Sequence, residues 1–156
     1  MDPQPGLPPV HERIVTAERT VRAPASGLFE LIADPARQPD WDGNDNLARA
    51  AAGQRVRAVG DVFTTDLTNG QSRENHVVEF AENRLIAWLP APVGEEPRGH
   101  LWRWELEAAG EGVTLVRHTY DWAQLTDESR FARAAATTRD SLAASLDRLA
   151  ALAEHR

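Results

Sequence analysis

Polar and apolar residues alternate over most of the middle of this chain, which is the period-two pattern of strands that bury one face. Such runs predict strands at 14–21, 55–59, 61–68, 71–80, 84–89, 100–108 and 113–122. The later runs follow one another through short links, and short links join antiparallel strands. The pattern therefore predicts a seven-stranded antiparallel sheet.

The predicted turns lie between these runs. Asn69 and Gly70 form a strong hairpin signal, because the two-residue turn that this pair favours needs positive φ at both central positions. A second turn is predicted at Glu82 and Asn83. Residues 90–99 hold three prolines and two glycines, a composition that predicts a long loop.

Two short helices are predicted in residues 23–41, after the first strand. Pro24 suits the first position of a helix, where no backbone N–H is needed. An apolar stripe follows at Leu28, Phe29, Leu31 and Ile32. Asp34 is expected to cap a second helix that opens with Pro35 and that Pro39 ends, just before Trp41.

A single long helix is predicted at 127–154, where Thr126 can cap the start. Its apolar stripe has helical spacing: Phe131, Ala135, Thr138, Leu142, Leu146, Leu149 and Ala153. Arg130 and Arg133 lie mostly off this stripe and are expected in solvent. The first half carries small residues and the second half leucines, so we expect a cavity near the start of the helix.

A curved antiparallel sheet and one long helix bury each other's apolar faces when the sheet wraps around the helix. The element order therefore predicts an α+β helix-grip fold, with two short helices after the first strand.

Three segments and the leucine-rich last helix resemble a known superfamily. They are residues 23–41, Trp-x-Trp-x-Leu at 102–106 and Gly-x-Thr-Leu-Val-x-His-x-Tyr-Asp-Trp at 112–122. In this order they resemble the START-like superfamily, also called SRPBCC, and within it the polyketide cyclase/dehydrase group. The resemblance covers 12–155 and predicts one START-like domain at 12–156.

The resemblance implies that a hydrophobic small molecule, aromatic or polyketide-like, binds in an internal cavity. Cofactor-independent cyclase, aromatase or dehydratase activity is a subordinate version of this hypothesis. The related Hsp90-activator group shares the fold and acts on a protein partner. A protein-interaction module is therefore the alternative function.

Alternation also assigns the inner faces of the predicted strands. In 100–108 the aromatic residues oppose Arg103 and Glu105, which are expected to be exposed. In 113–122 Arg117 and Asp121 mark the outer face. The side chains then expected to point inward are His100, Trp102, Trp104, His118 and Tyr120. In 71–80 the inner set is expected to be His76, Val78 and Phe80, unless a one-residue bulge reverses the register.

Aromatic and polar side chains from this inner face make up the candidate ligand-binding site. The candidates are Trp41, His76, Phe80, Trp88, Trp102, Trp104, His118, Tyr120, Phe131, Ala135 and Thr138. We expect His76 or His118, with Tyr120, to hydrogen-bond a polar ligand atom, and acid–base catalysis by them is an open alternative. No spacing brings His76, His100 and His118 together as metal ligands, so no metal, no cofactor and no assigned catalytic residue is predicted.

Composition limits the partners. The net charge of −7 argues against nucleic acid, which needs a clustered cationic surface. Cysteine is absent, which excludes disulfides and thiolate metal sites. No apolar run is long enough for a membrane span, and residues 1–11 are interpreted as a disordered or loosely attached leader rather than a signal peptide. We expect a cytoplasmic protein, with a homodimer as a candidate assembly.

Overall fold

The computed structural model describes residues 8–154 and contains one curved sheet of seven antiparallel strands. The strands are β1 (Ile14–Val21), β2 (Leu47–Arg49), β3 (Val62–Leu67), β4 (Ser72–Ala81), β5 (Leu85–Pro92), β6 (Leu101–Gly110) and β7 (Val113–Asp121). Their order across the sheet is β1-β7-β6-β5-β4-β3-β2. Neighbours along the chain are neighbours in space, except that β1 joins the sheet next to β7.

Residues 8–154 also contain four α-helices: α1 (Ala25–Ala33), α2 (Gln38–Trp41), α3 (Phe131–Ala135) and α4 (Arg139–Glu154). The long helix α4 packs against β1, β7 and the two short helices after β1. Its buried side chains on that side are Leu142, Ser145, Leu146, Leu149 and Ala150. The predicted α+β helix-grip fold is therefore confirmed.

The predicted leader lies mostly outside the described residues, since residues 1–7 are not among them. Val10–Glu12 forms one turn of 3-10 helix, and the Arg13 Nε–H donates to the Pro8 carbonyl at 2.9 Å. Within the described part of the chain, no helix has the length and apolarity of a membrane span.

The strand predicted at 55–59 is wrong, and the additional strand is β2. Val56 is buried and its N–H donates to the Ala33 carbonyl of α1 at 2.9 Å, so this segment packs against a helix. Just after it, the Asp61 carboxylate accepts hydrogen bonds from the Arg57 and Ala58 N–H groups. These local bonds form a turn where the alternation predicted a strand.

The hairpin between β3 and β4 is present, but its turn differs from the predicted two-residue type. Gly70 has positive φ (86°), whereas Asn69 is not among the residues with positive φ. The Gly70 N–H donates to the Leu67 carbonyl at 3.1 Å, which makes a three-residue loop closed by glycine. The Asn69 Oδ1 instead accepts the Gln71 N–H at 2.9 Å.

The segment between β1 and β2 agrees with the sequence at its cap and differs at its end. The Asp34 carboxylate accepts the Ala36 N–H, as predicted, and caps a 3-10 turn at Pro35–Arg37. Pro39 does not end a helix. It occupies the first turn of α2, a position without an intrahelical N–H bond, where proline is tolerated.

The single helix predicted at 127–154 is interrupted. A 3-10 turn at Glu128–Arg130 and α3 come first, and α4 begins only at Arg139. At the break the Ser141 hydroxyl donates to the Thr138 carbonyl at 2.8 Å and accepts the Thr138 N–H at 3.2 Å. Side-chain hydroxyls thus take over backbone groups that a continuous helix would use.

A bulge in β4 changes which of its residues face the helices. The register with β5 shifts between Val77 and Glu79. Before the shift Asn75 and Val77 are buried, and His76 is only half-buried on the opposite face. After it Phe80 packs edge-on against Phe29 of α1, with ring centroids 5.7 Å apart. Phe80 therefore points inward as predicted, whereas the inward orientation predicted for His76 and Val78 is wrong.

Candidate ligand-binding cavity

A cavity of about 440 Å³ lies between the inner face of the sheet and the helices α2, α3 and α4. Volumes of this order hold a small organic molecule. Its lining runs from fully buried Trp104 and His118 to exposed Arg133 and Ala136. The cavity thus has a deep end against β6 and β7 and a mouth at α3. The cavity lies near the start of the predicted helix, where the small side chains of that segment predict one.

The structure brings six of the eleven candidate residues into the cavity lining: Trp41, Trp88, Trp102, Trp104, His118 and Tyr120. Sheet register explains the grouping. Trp102 pairs with Tyr120 and Trp104 with His118 across β6 and β7, while Trp88 of β5 pairs with Trp102. Paired residues on neighbouring strands share a face, so three strands present their aromatic rings to one space.

The other five candidates lie outside the lining. His76 is on the outer face of β4, and Phe80 fills the core against α1. Phe131 packs against Trp122, with ring centroids 6.1 Å apart, and neither ring is part of the lining. Ala135 and Thr138 are exposed, because the interruption of the last helix turns their side chains out of the predicted stripe.

The deep end is an aromatic stack. The His118 ring is parallel to Trp104, with centroids 3.7 Å apart, and also stacks on Trp102 at 5.5 Å. Trp41 meets Trp104 edge-on at 5.0 Å, and its indole N–H donates to the Leu31 carbonyl at 2.7 Å. Rings held from both sides keep one orientation, so His118 is a rigid feature of the cavity wall.

His118 presents a hydrogen-bond acceptor to this space. Its Nδ1 lies 3.0 Å from the Arg103 carbonyl oxygen. A carbonyl only accepts, so Nδ1 carries the proton and Nε2 has a free lone pair. Burial lowers the pKa of His118 to about 3, despite the opposing effect of that hydrogen bond. The ring is therefore neutral near pH 7, and its Nε2 has no hydrogen-bond partner among the described residues.

Tyr120 and Trp104 add donors that no residue of the described chain accepts from. Burial raises the pKa of Tyr120 to about 12, so its phenol stays protonated, and no described residue hydrogen-bonds its hydroxyl. The indole N–H of Trp104 is buried, also without a partner. Two amides of the lining do have protein partners: the Asn75 amide donates to the Phe63 carbonyl at 3.1 Å, and the Gln38 amide to the Ile32 carbonyl at 3.1 Å.

Basic residues that the sequence did not assign to the site lie in the lining towards the mouth. They are Arg73 of β4, His100 before β6, Arg130 in the 3-10 turn and Arg133 of α3. Burial, and then the charges of the three arginines, lower the pKa of His100 to about 4. Arg133 is exposed, as the sequence predicts, and Arg130 is half-buried, so both line the cavity while still reaching solvent. Their spacing of three, one turn of a helix, is the sequence signal that places them side by side.

Metal ligands do not converge in this cavity. Across residues 8–154, no group of three or more histidine, aspartate or glutamate side chains is arranged to hold a metal ion. His100 and His118 line the cavity, whereas His76 lies on the other side of the sheet.

Fold and site together define a helix-grip protein with an aromatic internal cavity. The sequence model of the family described as "Polyketide cyclase / dehydrase and lipid transport" matches residues 12–154. The chain belongs to this family, as the resemblance in its sequence predicted.

Individual relatives are distant. An uncharacterised protein of Mycobacterium tuberculosis H37Rv is 30% identical over 105 residues, which are 65% of this chain and 44% of the relative. The chain thus spans less than half the length of that relative. The Aha1 dimer of Colwellia psychrerythraea, solved in solution, has a TM-score of 0.63 at 19% identity, over 90% of this chain and 96% of that chain. DynU16, from the dynemicin biosynthetic locus, has a TM-score of 0.63 at 18% identity, over 91% of this chain and 47% of that chain.

Proposed function

We propose that this protein binds a hydrophobic, aromatic or polyketide-like small molecule in the cavity between sheet and helices. The observation that carries the proposal is the deep end of the cavity, where stacked indole and imidazole rings surround polar atoms that pair with no residue the structure describes. An unpaired buried polar atom destabilises a protein by about 1 to 3 kcal/mol, so a ligand that pairs with it gains affinity.

His118 and Tyr120 are the polar anchors in this proposal. The Nε2 of His118 accepts a hydrogen bond from a ligand hydroxyl or amine, and the Tyr120 phenol donates one to a ligand oxygen. Both side chains line the cavity from positions two residues apart on β7, which lie on the same face of the strand.

Binding is a better match to these groups than acid–base catalysis. A general acid or base works best with a pKa near the operating pH. Burial moves the pKa of His118 down to about 3 and that of Tyr120 up to about 12, so both move away from neutrality. We therefore rank cyclase, aromatase or dehydratase activity below binding.

The comparisons support this proposal at the level of the family. Its description joins polyketide chemistry with lipid transport, and both involve apolar small molecules. DynU16 comes from a biosynthetic locus.

A protein-interaction module remains the alternative function, because the Aha1 structure has the same fold. A filled core would favour that alternative, whereas the cavity here favours a small ligand. The Aha1 structure is a dimer, so a homodimer also stays a prediction, which light scattering on the purified chain would test. The cytoplasmic location stays a prediction as well.

The test is binding of N-phenyl-1-naphthylamine, a neutral aromatic amine whose fluorescence rises in apolar surroundings. We expect saturable binding and a higher melting temperature. Probe at 100 times its dissociation constant adds about 2.7 kcal/mol to the free energy of unfolding.

Two neighbouring alanines provide a matched pair of variants. Ala136 lines the cavity mouth and Ala135 does not, although both are exposed at the end of α3. We expect Ala136→Phe to weaken binding of the probe and Ala135→Phe to leave it close to that of the wild type. Equal effects of the two substitutions, or no binding by the wild type, would contradict a ligand in this cavity.

A further inference from the structure

Three arginines at the cavity mouth lack carboxylate partners for most of their donors. The guanidinium group of Arg133 makes no hydrogen bond or ion pair with another described residue, and only its backbone carbonyl accepts one, from the Thr137 hydroxyl. Arg73 donates only to neutral oxygens, the Ser72 carbonyl at 3.0 Å and the Gln71 amide at 3.1 Å. Arg130 has a carboxylate partner, Asp127, which receives its Nε–H at 3.2 Å and leaves the terminal nitrogens of the guanidinium unpaired within the described chain.

The charges of these arginines act on one another and on the cavity. Burial, and then Arg130 and Arg133, lower the pKa of Arg73. The same three charges disfavour protonation of His100. Three like charges around one opening repel each other, and such an arrangement is relieved when an anion binds among them.

The lining holds a single carboxylate against these three guanidinium groups, among the residues that the structure describes. Among the described residues that line the cavity, Asp42 is the only carboxylate. Both its oxygens are already used by the loop that follows it, where the backbone N–H groups of Asn44, Asn46 and Leu47 and the Asn44 amide donate to them. The mouth is therefore positive in a chain whose net charge is −7.

We propose that Arg73, Arg130 and Arg133 form a subsite for an oxyanion group, a carboxylate or phosphate, on the ligand of this cavity. The proposal rests on the proposed function and makes it narrower: the ligand is an aromatic acid. Its ring system lies against the tryptophans, and its charged end meets the guanidinium groups, which bind carboxylate and phosphate through paired N–H donors.

A pair of fluorescent probes separates the two proposals. N-phenyl-1-naphthylamine and 1-anilinonaphthalene-8-sulfonate share one aromatic body, and only the second carries an anionic group. We expect the wild-type protein to bind the sulfonate at least about tenfold more tightly, because hydrogen bonds to charged groups contribute more than neutral ones. Higher salt is expected to reduce this preference.

Charge-removing variants assign the preference to residues. Arg73→Gln and Arg133→Gln should each weaken sulfonate binding about tenfold and change the affinity for the neutral amine much less. Arg57→Gln is the control for net charge, since Arg57 is exposed, outside the cavity and without a side-chain partner among the described residues. It should leave both affinities close to wild type.

Displacement of the bound sulfonate by 2-naphthoate or by 2-naphthyl phosphate then shows which oxyanion the subsite prefers, with 2-naphthol as the neutral comparison. If both probes bind with equal affinity and the arginine variants change the two affinities equally, the proposed anion subsite is contradicted, while the cavity remains a binding site. If 2-naphthol displaces the sulfonate as well as the two acids do, the subsite is also wrong. If neither probe binds, both proposals fail.

Discussion

The two faces of β6 and β7 differ in whether their polar side chains pair with other described residues. On the outer face Arg103 donates to both carboxylate oxygens of Glu79, at 2.6 and 3.0 Å, and Arg117 is 2.7 Å from Glu18. On the inner face the same strands present His118 and Trp104, each with a ring nitrogen that no described residue pairs with. The outer polar groups are matched with one another, and the inner ones are not.

The difference indicates that the polar groups of the outer face serve the fold and that those of the inner face are available to bind a ligand. Paired groups on the outside satisfy each other and need no further partner. Inner groups that pair with no described residue lower the stability of the fold, which is the usual property of a site whose partner comes from solution. Substitutions on the two faces should therefore separate stability from binding.

The largest effect is expected for Trp104→Ala on the inner face. Trp104 is 0% exposed and contacts both His118 and Trp41 through its ring. Removing a buried tryptophan side chain lowers the free energy of unfolding by about 3 to 5 kcal/mol. Urea denaturation of the two proteins measures the loss. A change below about 1 kcal/mol would mean that the deep end of the cavity is not part of the packed core.

The next effect is on affinity. His118→Phe preserves an aromatic ring in the stack but removes Nε2, so we expect about tenfold weaker binding of 2-naphthol, whose hydroxyl donates to that atom. Binding of 2-methoxynaphthalene, which has no donor, serves as the control and should change little. Tyr120→Phe tests the second anchor in the same way. It should weaken the binding of an aromatic ketone, whose oxygen accepts a hydrogen bond from the Tyr120 hydroxyl. Loss of stability without any loss of 2-naphthol affinity would make His118 a core residue.

A third effect is the pH dependence of stability. Burial lowers the pKa of His118 to about 3, while in the unfolded chain it is about 6.5. Between these values the unfolded chain binds a proton that the folded protein does not, so stability falls as the pH falls below about 6.5. The slope is up to about 1.4 kcal/mol per pH unit for one histidine. Urea midpoints at pH 7 and pH 5 should differ less in His118→Phe than in the wild type. Equal differences would show that His118 is accessible to protons in the folded protein.

The smallest effect is expected for the outer face. Arg117 and Glu18 are 38% and 48% exposed, so Arg117→Ala should change the urea midpoint only slightly, because water and salt screen an exposed ion pair. That small change should shrink further in high salt. Losses near those of Trp104→Ala would remove the distinction between the two faces.

Alternation alone was enough to predict the inner face of β6 and β7. Trp104, His118 and Tyr120 are buried as expected. The predicted exposure of Arg103, Glu105 and Arg117 is only partial, because long side chains that pair across strands cover one another. Asp121, also predicted exposed, is half-buried as well, and its carboxylate accepts the Ala123 N–H at 2.9 Å.

Other features left no clear mark on the sequence. The bulge in β4 lies at Val78, directly after Val77, and valine suits a strand equally well on either face, so the alternation predicts the wrong side for His76. The grouping of Arg73, Arg130 and Arg133 at the cavity mouth depends on how α3 packs relative to β4, and such a tertiary arrangement cannot be read from local sequence patterns. The break before α4 did have a signal in the hydroxyls of Thr137, Thr138 and Ser141, since such side chains compete with helical backbone bonds.

The interrupted helix also has a consequence for motion. The five residues of α3 are tied by few backbone bonds, such as Ala136 N–H to the Ala132 carbonyl at 3.1 Å, while α4 is anchored in the core through Leu142, Leu146 and Leu149. Amide hydrogens of 128–138 are therefore expected to exchange with deuterium by local opening, and those of α4 only with global unfolding. The wall of the cavity that carries Arg130 and Arg133 can thus open locally while α4 and the sheet stay folded. A ligand can enter the cavity through this local opening, without global unfolding of the protein.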